Sequence, residues 1–133
     1  MLQSVRLKDC TSPQPVKVKA SDNVMEAVDK ILHHKISGVC VVDDANNLVG
    51  VLSELDCLKA ILGAVYNEGG VGMVSEYMTA EDLVVATPNA NIVDIAQEMI
   101  KDHMRRRPVV EDGKLIGQVT CRQVLKAVRD FKR

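Results

Sequence analysis

The sequence predicts an α/β fold in which one β-α-β-β-α unit is written twice, and three observations predict it. The chain matches itself at a spacing of about 68 residues: Thr11 falls on Thr79, Val16 on Val84, Asn23 on Asn91 and Asp44 on Asp112. One extra residue in a turn then sets Leu48, Gly50 and Leu58 on Leu115, Gly117 and Leu125. Apolar residues recur at helical spacing behind each asparagine. Each copy also holds two short apolar runs around an Asp, Asn or Gly turn, which is how a β-hairpin reads.

The elements follow in order. PVKVKA and LVVA are short β-type runs, each followed by polar residues that end in Asn23 or Asn91. These asparagines suit helix N-caps, with an acid three residues on at Glu26 or Asp94. Behind them Val24, Ala27, Val28, Ile31 and Leu32, and in the second copy Ile92, Ile95, Ala96, Met99 and Ile100, form one apolar stripe per helix. GVCVV with LVGVL, and PVVE with LIGQV, are the hairpins. A second helix is expected from Ser53 to about Leu62 and from Thr120 to about Phe131, with NEGGVGMVSE as a flexible connector. The expected organisation is a single module over 1–133, with one repeat at 1–64, a connector at 65–76 and the other repeat at 77–133.

Composition narrows the function. A chain of 133 residues, 47% hydrophobic, buries one good core. No run is long enough to span a membrane, and MLQSVRLKD lacks a signal-peptide core, so a cytoplasmic protein is expected. The cysteines Cys10, Cys40, Cys57 and Cys121 are widely spaced and read as small buried hydrophobes in a reducing compartment. A formal net charge of -1 and three aromatic rings, Tyr66, Tyr77 and Phe131, give nucleic acid neither a field nor a stacking platform. His33, His34 and His103 sit at helix C-termini with no acid or cysteine at ligand spacing, so no metal is expected. No nucleophile elbow or phosphate-binding glycine loop is present, and no enzyme is expected.

The paired units, the PVV-E-DG-KLIG hairpin and the closing pattern of glycine, two apolar positions, Ser or Thr, and Asp or Asn three further on resemble two cystathionine-beta-synthase (CBS) domains in tandem, the regulatory pair called a Bateman module. The resemblance covers the chain. It implies two pseudo-symmetric repeats packed sheet to sheet, clefts that take adenosyl compounds such as AMP, ADP, ATP or S-adenosylmethionine, and modules that pair into a homodimer. No required cofactor is expected, and the module is expected to act on an effector protein in trans, to be part of a larger assembly or to be a fragment of a longer protein.

GVLSELD, residues 50 to 56, is where that implication meets chemistry. An ionised carboxylate at Asp56 can accept both hydroxyls of a ribose. Ser53 and the N-H groups of the helix it begins favour phosphate oxygens. The same residues also read as a capping box, which satisfies the helix's own orphan N-H groups. GQVTCRQ, residues 117 to 123, ends in Gln123, which can cap but departs from the ribose-binding Asp or Asn. A second cleft at Thr11, Val16, Thr120 and Gln123 is therefore expected to be weak or vacant. Carried over from the family, the adenine of the Asp56 site lies against Thr79, Leu83, Val84, Met104 and Arg105. Val84 and Met104 read equally as core residues, and Thr79 as a turn. Arg105, Arg106 and Arg107 have no charged counterpart in Ser37, Gly38 and Val39, and read either as a solvated face or, at Arg105 and Arg106, as phosphate ligands. The rival reading is a ligand-free dimerisation module in which Ser53 and Asp56 serve folding alone.

Overall fold

The computed structural model describes residues 2–131, so the ends of the expected 1–133 span lie outside the described residues. The chain divides into two compact units, one formed by 16–83 and the other by 1–15 with 84–133.

In the 16–83 unit, strand β1 (Lys17–Lys19) leads to helix α1 (Val24–His34), strands β2 (Gly38–Val42) and β3 (Leu48–Ser53), helix α2 (Glu54–Asn67) and the short helix α3 (Val74–Tyr77). The sheet order is β1-β2-β3, with β1 parallel and β3 antiparallel to β2. Helix α1 starts because Asn23 accepts a hydrogen bond from the Met25 N-H at 2.8 Å. Its Val24, Ala27 and Ile31 join Val18, Val41, Leu52, Cys57 and Ala60 in the core.

The other unit holds helix α4 (Ile92–Asp102), strands β4 (Arg106–Glu111) and β5 (Lys114–Thr120), and helix α5 (Cys121–Phe131). Asn91 caps α4 in both directions, accepting from the Asp94 N-H at 2.9 Å and donating to the Asp94 carboxylate at 2.8 Å. Ile92, Ile95 and Met99 pack with Val109, Val119 and Val124.

Several expectations change. The LVVA run forms no strand: Ala86 alone bridges Val109 in parallel. The reason is Pro108. Its counterpart Cys40 donates its N-H to the Val16 carbonyl at 3.3 Å, and a proline has no N-H to offer Val84. The outermost stripe positions Leu32 and Ile100 are exposed, at 69% and 75%. Helix α2 runs five residues beyond Leu62. Cys40 and Cys57 are buried, whereas Cys10 and Cys121 are only half-buried; all four are free thiols.

The segment read as a connector is partly structural. Val74 is wholly buried in the first repeat's core, and α3 is tied to it by the Val74 N-H to Asp22 and the Ser75 N-H to Ala20. The N-terminal residues do the same for the second repeat: Leu7 is wholly buried there, and its N-H reaches the Ala90 carbonyl. Each repeat is thus completed by the segment that precedes its partner in sequence.

Candidate functional site

The opening residues of α2 form a closed ring of two hydrogen bonds. The Ser53 N-H donates to Asp56 Oδ2 at 2.9 Å, and the Asp56 N-H donates to Ser53 Oγ at 3.1 Å. This capping box occupies one carboxylate oxygen for one bond. An ionised carboxylate has about four acceptor positions, and Asp56 is half-buried, so capping leaves capacity for a second partner. Cys57, next along the helix, has its thiol pKa pushed up, first by burial and then by the Asp56 and Glu54 charges. It is held as a neutral packing group.

A second strand of chain is laid against this turn. The Thr79 N-H donates to the Val51 carbonyl at 2.9 Å and the Val51 N-H returns a bond to Thr79 at 3.0 Å. Gly50 makes that approach possible: a Cβ there would lie 2.9 Å from the Thr79 carbonyl oxygen and 2.7 Å from Met78 Sδ. The glycine of GVLSELD therefore seats Thr79, which is exposed, two residues along the strand from Ser53. Leu83 belongs to the same unit and is half-buried.

The second repeat copies the device with a shift. Gly117 admits the Ser12 carbonyl, 2.9 Å from where a Cβ would stand, and Ser12 exchanges two bonds with Gln118. The residue in Thr79's place is thus Ser12 and not Thr11, because the spacing here is 67 residues where the sequence alignment had 68. The buried pair Leu7 and Val74 is likewise 67 residues apart. Thr11 lies beside Gly117, with its Oγ1 3.4 Å from the position of a Cβ.

At the head of α5 the Thr120 N-H donates to Gln123 Oε1 at 2.8 Å and the Gln123 N-H donates to Thr120 Oγ1 at 3.2 Å. Gln123 caps as Asp56 does. The difference lies in what remains: the amide has committed its only acceptor oxygen and keeps an NH₂ donor, whereas the carboxylate keeps acceptors. Gln123 and Thr11 line a cavity of about 590 Å³ with Cys10, Lys126 and Ala127. Val16 is in the 16–83 unit, half-buried, and accepts from Cys40.

The arginine run is split three ways. Arg105 is exposed and its carbonyl accepts from the Cys121 N-H at 2.9 Å. Arg106 is half-buried and stands directly opposite Thr120 in the β4–β5 ladder. Both are thereby attached to the Gln123 turn of their own unit. Arg107 is neither a solvated charge nor a phosphate ligand. It is wholly buried, with ion pairs to Glu98 at 3.1 Å and Asp102 at 3.4 Å, and its Nε has no hydrogen-bond partner among the described residues. Arg107 shares a face of β4 with the core residue Val109, as residues two apart on a strand do. Met104 is exposed and lines a groove of about 560 Å³ with Met99, Ile100 and Leu125, and Val84 is half-buried at the start of its unit. Among the described residues no group of three His, Cys, Asp or Glu could hold a metal ion, and no helix is long and apolar enough to cross a membrane.

The CBS domain model matches the chain at residues 7–63 and 74–130. Relatives include the MJ1225 protein of Methanocaldococcus jannaschii, 32% identical over 84% of this chain and 38% of that protein. Inosine-5'-monophosphate dehydrogenase of Aquifex aeolicus is 37% identical over 84% of this chain and 22% of the enzyme. The chloroplastic CBS domain-containing protein CBSX2 of Arabidopsis thaliana is 32% identical over 87% of this chain and 59% of its own length. The chain thus spans between about a fifth and three fifths of these relatives. A crystal structure of CBSX2 in complex with AMP superposes with a TM-score of 0.83 and 34% identity, covering 96% of this chain and 98% of that one. The CBS pair of MJ0100 in complex with 5'-methylthioadenosine and S-adenosyl-L-methionine gives a TM-score of 0.74 and 25% identity, over 97% and 98%.

Proposed function

This chain belongs to the CBS-domain family, with two CBS domains in tandem, and from that premise we propose that it is a regulatory module that binds an adenosyl ligand at the Asp56 turn. The observation that carries the reading is the composite of Gly50, Thr79, Ser53 and Asp56. A glycine admits a second chain segment beside a helix N-terminus whose carboxylate keeps acceptors in reserve. Ribose hydroxyls donate to that carboxylate, and phosphate oxygens suit the N-H groups of the first turn of α2. That CBSX2 was crystallised with AMP, and MJ0100 with two adenosyl compounds, favours this ligand class over others. Leu83, in the same unit as the turn, completes the proposed contact set. The Gln123 turn is proposed to bind weakly or not at all, since it offers a donor where a ribose needs an acceptor.

The module is non-catalytic in this reading, is a homodimer, and passes its signal to an effector protein. The ligand acts by binding one arrangement of the module better than another. AMP, ADP, ATP and S-adenosylmethionine all fit the chemistry of the turn.

The test is thermal unfolding against those four ligands, with Asp56→Gln run alongside. Saturation at about 100 times the dissociation constant adds roughly 2.7 kcal/mol, a rise of several degrees. A charge-assisted bond is worth about 1.5 to 3 kcal/mol, so Asp56→Gln weakens binding by roughly 10- to 150-fold. The variant has its fold control built in, because Gln123 closes the same capping box. A ligand response that Asp56→Gln leaves intact would remove Asp56 from the site, and no response to any of the four would leave the ligand-free interaction module.

A further inference from the structure

The groove of about 560 Å³ along α4 and α5 lies within the unit of 1–15 and 84–133, and it collects soft donor atoms. Cys121 Sγ stands 3.8 Å from Met99 Sδ and 3.9 Å from the Met104 carbonyl oxygen. His103 and Met104 line the same groove. The fold gathers them from separate elements. Met99 sits in the last turn of α4, His103 takes the left-handed turn that ends it, and the Met104 N-H returns to the Met99 carbonyl at 3.1 Å. Cys121 opens α5 on the far side of the β4–β5 hairpin, held by its N-H on the Arg105 carbonyl.

The first repeat supplies the comparison. Its matching groove, of about 340 Å³, has Ile31, Lys35, Ile36 and Glu54 where the second repeat has Met99, His103, Met104 and Cys121. Packing accounts for a methionine in place of an isoleucine. It does not account for all four places changing together to sulfur or imidazole, since Lys35 and Glu54 are exposed and fill no core. The expectation of no metal weighed acids and cysteines near the histidines in sequence, whereas these donors meet only in the fold and two of them are methionines.

From this cluster we propose that the groove binds Cu(I) through Cys121 Sγ and Met99 Sδ, with Met104 as a third sulfur ligand and His103 at the rim. Thiolate and thioether ligands select Cu(I) among the biological metals. Two sulfurs each about 2.3 Å from one ion stand roughly 3.8 to 4.0 Å apart at tetrahedral or trigonal angles. The Cys121 and Met99 pair already has that separation. As the S–Cu bond forms, the thiol releases its proton to solvent, and the thiolate neutralises the ion's single charge. A neutral centre suits a groove whose other walls include Ala96, Ile100, Val124 and the cation Arg105; Zn(II) would leave a positive charge there with no acid among the lining residues. Met99, 5% exposed, forms the floor, while Met104, 37% exposed, and the exposed His103 leave the ion a way in.

The experiment is an anaerobic Cu(I) titration of the reduced full chain against the chromophoric chelator bicinchoninate, with the ligands counted by X-ray absorption. The wild type is expected to withdraw one equivalent of Cu(I) and to show two or three sulfurs at about 2.3 Å. Cys121→Ser is expected to weaken binding at least about 100-fold. Met99→Ile with Met104→Ile rebuilds the first repeat's groove at similar volume, and is expected to weaken it at least about 10-fold with an unchanged far-UV spectrum. Binding that survives Cys121→Ser would put the ion on another thiol, and binding indifferent to the methionine pair would reduce the site to a thiol alone; either overturns the proposal. A wild type that takes no Cu(I) from the chelator, or that gives it up to an equimolar amount of Zn(II), does so as well. If the double variant does not fold, the wild-type sulfur count decides: two or more sulfurs support the site and a single one overturns it.

Discussion

The two repeats place opposite chemistry at the same point under their first helices. In the first repeat β2 turns Val39 inward, 4% exposed, into an apolar core. The matching residue of the second repeat is Arg107, completely enclosed, with Glu98 and Asp102 of α4 in reach of its guanidinium. The matching residues on α1 are Lys30 and His34, so the charges arrive as a set: where the strand holds valine the helix carries no acid at these places, and where it holds arginine the helix supplies two. The lesson concerns specificity more than stability. A buried ion pair gains little over a well-packed apolar side chain, but it is costly to break.

That difference gives the largest predicted effect. Glu98→Gln with Asp102→Asn leaves a buried guanidinium facing neutral amides and is expected to lower stability by about 3 kcal/mol, near the bottom of the range for stripping a buried charge because both acids are partly exposed. Arg107→Leu removes charge and need together, and is expected to fall within about 1 kcal/mol of the wild type, on either side. Chemical denaturation with both variants decides it. If Arg107→Leu proves the worse of the two, the arginine contributes packing that the first repeat obtains otherwise.

Next in size is a test of what the repeats share. Gly50→Ala and Gly117→Ala each drive a methyl group against a backbone carbonyl oxygen 2.9 Å away, of Thr79 and of Ser12. Since backbone cannot step aside as a flexible side chain can, each is expected to cost about 1 to 3 kcal/mol. Gly50→Ala should also weaken the proposed ligand, because it displaces Thr79; Gly117→Ala should lower the melting temperature and leave the ligand response. Equal ligand losses in both variants would show that the Gln123 turn also binds.

The repeat, the helix starts at Asn23 and Asn91 and both hairpins were legible because each rests on local pattern: a cap, a period or a turn. What was not legible depends on partners far along the chain. Nothing in VGMVSE says that Val74 closes a core built from Val18 to Ala60, and nothing in VRLKD says that Leu7 belongs with residues past 84. The reduction of LVVA to a single bridge at Ala86 follows from Pro108, 22 residues later. At the site, the capping box was readable from Ser53 and Asp56 alone. The role of Gly50 was not, because a glycine records a close approach without naming what approaches. The arginine run misled for a related reason: Arg107 shares a strand face with the core residue Val109, but the acids that make it tolerable there lie five and nine residues earlier on another element.

The smallest effect tests whether the repeats are alike where they look alike. Helices α1 and α4 both end on a left-handed residue that is not glycine, Lys35 at φ 55° and His103 at φ 53°. The left-handed conformation costs a residue with a Cβ about 1 kcal/mol, and glycine adopts it freely. Replacing either by glycine should therefore stabilise the protein, by up to about 0.5 kcal/mol after allowance of about 0.4 to 1 kcal/mol for glycine's greater freedom in the unfolded chain. The backbone explanation predicts equal gains, since the two φ values agree within two degrees. Charge predicts a further difference: replacing Lys35 removes a cation beside a helix C-terminus, a contribution of about 0.3 to 1 kcal/mol. Melting both variants in low salt and again at high salt separates the terms. A gap between them that closes as salt rises assigns the difference to the helix dipole, whereas a gap that persists assigns it to contacts made by the side chains themselves.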